Sequence, residues 1–287
     1  MSQSPTLDDT VAPASSAAAE ELPYPSCQVP TEVRASDVGR AGPQPWKWRP
    51  TVTWAILAVN IAVWLLDAAT GPLLELWTGF PAANLLLEWG VKRNDLILQG
   101  EVWRLVTPMF LHVGLLHLAF NSYAIYVIGP QIECFFGPYR FLSIYLLSGI
   151  YGILLSFALN PAPAAGASGA IFGLIGTQAV FFYRYRNAFG ERGRQQLYRT
   201  LTVIAFNIVL TFSASRIDIW GHTGGLVAGA VLGWGLTPHY ALTPTGDGDL
   251  RVVDRNHAGR WGLAVAGATI VLIASTWLAI AIQSRGA

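Results

Sequence analysis

The sequence predicts an all-α polytopic membrane protein: a six-helix core followed by one C-terminal transmembrane helix. Three observations predict it. The 287-residue chain is 53% hydrophobic and only 12% charged, with a mean hydropathy of +0.42, too apolar for a water-soluble globule. Apolar runs close to the roughly 20 residues that a bilayer core requires recur along its length. Lys and Arg gather in alternate connections between those runs, as they do in polytopic proteins.

Residues 1–45 are rich in Ala, Ser, Pro and acidic side chains without an apolar period, the composition of a disordered tail. They lack the basic-then-apolar order of a cleavable signal peptide, so the first apolar span is expected to remain as an anchor. That span covers about 51–68 and opens a core reaching from 46 to 237. The following stretch, 69–111, mixes Leu73, Trp77, Phe80 and Trp89 with Glu75, Glu88, Lys92, Arg93 and Asp95. It is expected to lie in the outer interface as an amphipathic loop. Further spans are expected at about 113–130, 140–160, 168–185, 200–215 and 218–237. After a cytoplasmic linker over 238–260, the closing segment 261–287 holds a seventh span at 261–282.

With a cytoplasmic N-terminus, thirteen Lys and Arg residues fall inside and five, Lys92, Arg93, Arg104, Arg216 and Arg285, fall outside. The positive-inside bias thus puts the C-terminus outside. Trp46, Trp48, Trp64, Trp220, Trp234, Trp261 and Trp277 sit near span ends, where an aromatic belt belongs. Arg outnumbers Lys sixteen to two, which, with abundant Ala, points to a bacterial inner (plasma) membrane. A net charge of +1 without a basic run leaves the lipid bilayer as partner and argues against nucleic acid. Cys27 and Cys134 both fall on the cytoplasmic side and read as free thiols.

Three polar fragments stand out: His112–Asn121 (HVGLLHLAFN), Gly166–Gly169 (GASG) and His222–Gly229 (HTGGLVAG). The second, fourth and sixth spans all run from outside to inside, so His112, His117, Ser168 and His222 come to one depth by topology alone. Polar groups in a hydrocarbon span are costly, and their convergence marks a site. Ser168 opens a helix after the flexible NPAPAAG stretch. It could be a simple N-cap, or a nucleophile whose oxyanion is stabilised by free helix amides. Gly225 and Gly229 share the His222 face and match Gly169 and Gly173, which would allow two helices to touch closely. His222 could then take the serine proton and return it to a leaving amine. His117 and Asn121, four apart on one face, could polarise a carbonyl. A zinc site on His112, His117 and His222 is the rival, but its spacing misses the i, i+4 pattern and no acidic ligand is embedded. No metal and no cofactor is therefore expected. Asp218 would complete a triad only against the helix direction, and is expected to be solvated beside Arg216. A dyad results, its imidazole oriented by an aromatic such as Phe172. Asn60 and Asn207 are expected to bond between helices.

These fragments, with EVWR at Glu101–Arg104 and ECFFG at Glu133–Gly137, resemble the rhomboid intramembrane serine proteases over about residues 50–237. The resemblance implies Ser168 as nucleophile and His222 as general base. It implies oxyanion stabilisation by His117, Asn121 and the Ser168 amide, with His112, Gly166 and Phe172 lining the site. Trp103 and Arg104 would hold the first outer loop, and Glu133 and Gly137 the inner connection between the second and third spans. The seventh span is similar to the family's six-plus-one arrangement. On this basis the expected function is an endopeptidase that cuts transmembrane protein substrates near their outer end. A catalytically silent client-binding relative and a multi-span transporter are the other classes, the latter weakened by the lack of an internal repeat.

Overall fold

The computed structural model describes residues 49–78, 85–213, 217–244 and 250–286. The tail at 1–45 lies outside the described residues. Seven long helices stand where the seven spans are expected: α1 (Thr51–Thr78), α4 (Leu115–Phe136), α5 (Pro138–Leu159), α6 (Ser168–Tyr185), α7 (Gly190–Ser213), α8 (Ile219–Leu236) and α9 (Ala258–Gly286). Three stretches, Thr51–Thr70, Pro138–Leu159 and Ala258–Arg285, are long and apolar enough to cross a membrane by length and composition. The glycine, serine and amide side chains of α6, and the charged start of α7, lower their hydropathy.

Helices α5, α6 and α8 form the centre, with α4 and α7 against α6, α1 against α4, and α9 against α5 and α8. Glycine sets the spacing. A methyl group at Gly225 would come within 2.0 Å of Gly169 O, and one at Gly229 within 2.0 Å of Gly173 O. The register expected from the sequence is the one observed. On the α5 side, a methyl at Gly152 would come within 2.5 Å of Gly221 O. Lipid gives no hydrophobic drive between helices, so such backbone contact supplies the dispersion that holds them. Below the seam, at the end away from Ser168, Phe135, Phe136, Phe181, Phe182 and Phe189 pack as an aromatic cluster, with Phe135 and Phe181 stacked at 4.5 Å.

Four expectations need correction. The stretch 69–111 is a folded lobe and not merely an interfacial loop: α1 runs on to Thr78, followed by α2 (Leu85–Gly90), α3 (Asn94–Leu98) and two 3₁₀ turns, Val102–Leu105 and Thr107–Phe110. Ile97 and Met109 are buried in it because it packs onto α5 and α6, which offer apolar surface. The linker at 238–260 contains an antiparallel hairpin of β1 (Tyr240–Pro244) and β2 (Leu250–Asp254). It is fixed to the helices by the Arg140–Asp254 ion pair at 2.6 Å and by Tyr240 donating to Phe135 O. Glu133 is not confined to the α4–α5 corner. Its carboxylate is buried and accepts Val52 N, Thr53 N and Thr53 Oγ1 at 2.8, 2.7 and 2.6 Å, capping the start of α1. Gly137 alone makes that corner, at φ +77°. Finally, Cys134 is disulfide-bonded, its partner outside the described residues. Compartment governs whether such a bond lasts, not which thiols folding brings together.

Candidate active site

Ser168 is the first residue of α6 and follows Ala167, which occupies the N-cap position without a side-chain bond. The serine hydroxyl is therefore not spent on capping. The segment ahead of it is held from both sides: Lys92 and Ala164 exchange backbone bonds at 2.9 and 3.2 Å, and Gly166 N donates to Pro108 O at 2.8 Å. This is how the outer lobe sets the position of the serine.

His222 sits one turn into α8, and its Nε2 lies 2.8 Å from Ser168 Oγ. The glycine seam makes the approach possible, because any side chain at Gly225 would hold α8 off α6. Phe172, one turn beyond Ser168, stacks on the imidazole at 4.3 Å with planes 15° apart. The ring is thus clamped in its plane, as the sequence suggested. Asp218 does not complete a triad: its Oδ1 accepts Asn160 Nδ2 at 2.9 Å. The carboxylate is partly buried there, with Arg216 outside the described residues.

His117 and Asn121 of α4 face Gly166. A methyl at Gly166 would come within 2.7 Å of His117 Nε2 and 3.5 Å of Asn121 Nδ2, and φ there is +128°, so both space and backbone demand glycine. Asn121 is buried, and its Nδ2 has no protein partner among the described residues. His112 precedes α4 and stacks edge-on to His117 at 5.3 Å. Burial, with His117 nearby, pushes its imidazole down to about 4. A cleft lined by Ala164, Gly166, Ser168, Asp218, Gly221 and His222 opens beside the serine. Beyond Ala164 and Ala165 lies a cavity of about 280 Å³ that also involves Val91, Arg93 and Val113. Arg104 holds the lobe over this end by donating to Glu88 O and Val91 O at 2.8 and 2.9 Å, while Trp103 Nε1 donates to Trp89 O at 3.2 Å.

The rhomboid domain family model matches residues 99–239. The chain is similar to Rhomboid protease GluP of Bacillus subtilis, at 40% identity over 186 residues, which are 63% of this chain and 34% of that protein. It is similar to the rhomboid relative YdcA of the same organism, at 35% identity over 189 residues, covering 64% of this chain and 86% of the relative. RHOMBOID-like protein 9, chloroplastic, of Arabidopsis thaliana matches at 35% over 184 residues, 64% of this chain and 42% of that protein. The chain belongs to the rhomboid family. It spans about a third of GluP and most of YdcA. With its apolar helices, this rhomboid is an integral, multi-pass membrane protein.

The sequence reading missed two groups of the rhomboid core. Lys92, expected as a loop charge, is wholly buried and donates from Nζ to Asn160 O at 2.5 Å, Ser156 Oγ at 3.1 Å and Ser156 O at 3.3 Å. It joins Asn94, whose Nδ2 donates to Phe157 O and Asn160 O at 2.9 and 3.4 Å, in satisfying the last carbonyls of α5. Burial lowers its ammonium to about 8, against the opposite pull of Asp218. Thr211, near the end of α7, has its Oγ1 3.3 Å from His222 Nδ1. Asn207, expected to bond between helices, instead donates to Val203 O of its own helix at 2.8 Å. No spacing rule signals Thr211, because the chain reverses between the two helices.

Proposed function

We propose that this rhomboid is an intramembrane serine endopeptidase that cuts transmembrane segments of membrane proteins near their outer end, with Ser168 as nucleophile and His222 as general base. The observation that carries the reading is the 2.8 Å contact between Ser168 Oγ and His222 Nε2 at the N-terminus of a helix. On this reading Ser168 Oγ attacks the scissile carbonyl carbon while Nε2 takes its proton. Negative charge grows on the carbonyl oxygen among the Ser168 amide, His117 and Asn121, each such donor worth on the order of 3 kcal/mol. Nε2 then gives the proton to the departing amine as the C–N bond breaks. A water, activated by the same nitrogen, releases the acyl group and restores the serine.

Water must reach the site, so the cleft opens to the outer aqueous phase and is not exposed to lipid. His112, Gly166 and Phe172 line it. The N-terminus is then cytoplasmic and the C-terminus outside, in a bacterial inner membrane; the five Arg residues of 184–199, on the opposite end from Ser168, support this orientation. A substrate helix shields its own peptide bonds and must unwind locally before it is cut. Entry past α7 fits the loose packing of that helix, on which Phe206 is 65% exposed.

The test is reconstitution in liposomes with a single-span substrate and a fluorophosphonate label. Wild type cleaves and takes the label, and Ser168→Ala and His222→Ala lose cleavage by about 10³-fold or more. Cleavage and labelling that persist in Ser168→Ala remove the serine mechanism. Client binding untouched by Ser168→Ala, with no cleavage by wild type, favours a silent relative.

A further inference from the structure

A base for Ser168 needs a bare lone pair at Nε2 of His222, so the imidazole hydrogen must sit on Nδ1. Stacking on Phe172 fixes the plane of the ring. It does not choose the tautomer, because a π face is indifferent to where the hydrogen lies. The nitrogen pointing away from the serine, Nδ1, lies 3.3 Å from Thr211 Oγ1. That hydroxyl has already committed its hydrogen: Oγ1 donates to Asn207 O, one turn back on α7, at 2.7 Å. What it turns toward His222 is a lone pair. A hydrogen bond can form there only if Nδ1 carries the hydrogen, which leaves Nε2 as the acceptor for Ser168 at 2.8 Å. Asp218, the residue a triad would use, has its Oδ1 turned to Asn160.

We propose that Thr211 is a positioning residue that holds His222 in the Nδ1–H tautomer and stabilises the imidazolium formed when Ser168 reacts. The proposal rests on the serine endopeptidase reading and adds to it a neutral hydroxyl in place of a carboxylate. Thr211 is buried, so water competes little for the bond. Because Thr211 rides on α7, the nucleophile's activation is tied to the seating of that helix. A shift of roughly 1 Å takes a 3.3 Å contact beyond hydrogen-bonding range.

Thr211→Val keeps the shape and removes the oxygen; Thr211→Ser keeps the oxygen. The full-length protein in liposomes is followed for substrate cleavage and for the rate of inactivation by a small fluorophosphonate, which needs no helix displacement. Thr211→Val lowers kcat and the inactivation rate by about tenfold, the scale of one net hydrogen bond, and leaves KM within about twofold. Thr211→Ser returns both rates to within about threefold of wild type. Nitrogen-15 spectra of the histidine-labelled protein show His222 as the Nδ1–H tautomer in wild type and Thr211→Ser, and as a mixture in Thr211→Val. Wild-type inactivation by Thr211→Val, an unchanged tautomer, or failure of serine to restore the rate overturns the proposal. A wild type that takes no label at all overturns the serine reading itself, a different outcome.

Discussion

Helix α6 meets two of its neighbours, α8 and α7, by different means. Against α8 the contact is backbone on backbone, through Gly169–Gly225 and Gly173–Gly229, with Thr177 Oγ1 donating to Gly229 O at 2.8 Å. Against α7 it is sparser: Leu197 and Ile204 pack on the core and Gln178 Oε1 accepts Thr200 Oγ1 at 3.0 Å, while Gln178 Nε2 turns to α4 and donates to Gln131 Oε1 at 2.6 Å. Beyond this clamp α7 leaves Phe206 and Val209 65% and 63% exposed, and near its far end Thr211 touches His222. The difference teaches how one bundle serves two needs. Ser168 and His222 require a fixed separation, which close-packed backbones enforce. On the proposed reading, a segment arriving from the membrane requires a helix that can yield, and α7, with few buried residues, has less to lose than α8.

The sharpest way to break this contrast is to fill the seam. Gly229→Val places carbon against the backbone of Gly173, where no flexible side chain can give. Overpacking of this kind costs about 3 kcal/mol or more, so unfolding in detergent should move sharply and Ser168 labelling should vanish. Normal labelling in this variant would show that the seam does not set the dyad.

Phe172→Leu is milder. It removes the stacked ring from His222 while keeping an apolar side chain, and should cost about 1–2 kcal/mol of stability. The labelling rate should fall by about tenfold, read alongside the melting curve to separate the two effects.

Opening the clamp tests the other neighbour. Gln178→Leu strands Gln131 and removes the Thr200 link to α6, Thr200 Oγ1 keeping its bond to Gln196 O at 2.8 Å, and should cost about 1 kcal/mol. Amide exchange should rise along α7 and stay unchanged along α8; an equal rise in both would erase the distinction.

A smaller effect follows from His112. Burial lowers its folded-state value from 6.5 to about 4, so the unfolded chain binds the proton first as pH falls. Stability contributed by the neutral ring is present above 6.5 and is lost between 6.5 and about 4. His112→Gln should flatten that part of the stability profile relative to wild type, measured by detergent unfolding across the same range. The smallest effect is expected from Leu210→Ala on α7, whose side chain is 45% exposed. It should shift stability by less than about 0.5 kcal/mol, and a larger loss would mean α7 packs against more than it shows.

Much of this was legible beforehand because it depends on length and period. A helix rises 1.5 Å per residue, so spans of known length fix how deep each residue lies. His112, His117, Ser168 and His222 could thus be brought to one end from topology alone. The i+3 and i+7 spacings placed Gly225 and Gly229 on the His222 face, and the four-residue match with Gly169 and Gly173 specified the register. Less legible were contacts between residues far apart in sequence. Glu133 caps a helix that begins about eighty residues earlier. Lys92 reads as a solvated loop charge in the sequence, yet its ammonium is buried against Ser156 and Asn160 of the α5 end.

The sequence by itself determined the number of long, span-length helices, the end of the bundle at which the polar groups gather, and the glycine faces able to touch, since each follows from local period and burial in lipid. Tertiary structure alone decided how the helices turn about their axes and which hydroxyl meets which nitrogen. Rotation and side-by-side order arise from packing among distant segments, for which no local spacing carries a signal. Thr211 facing His222 Nδ1 at 3.3 Å is the clearest case.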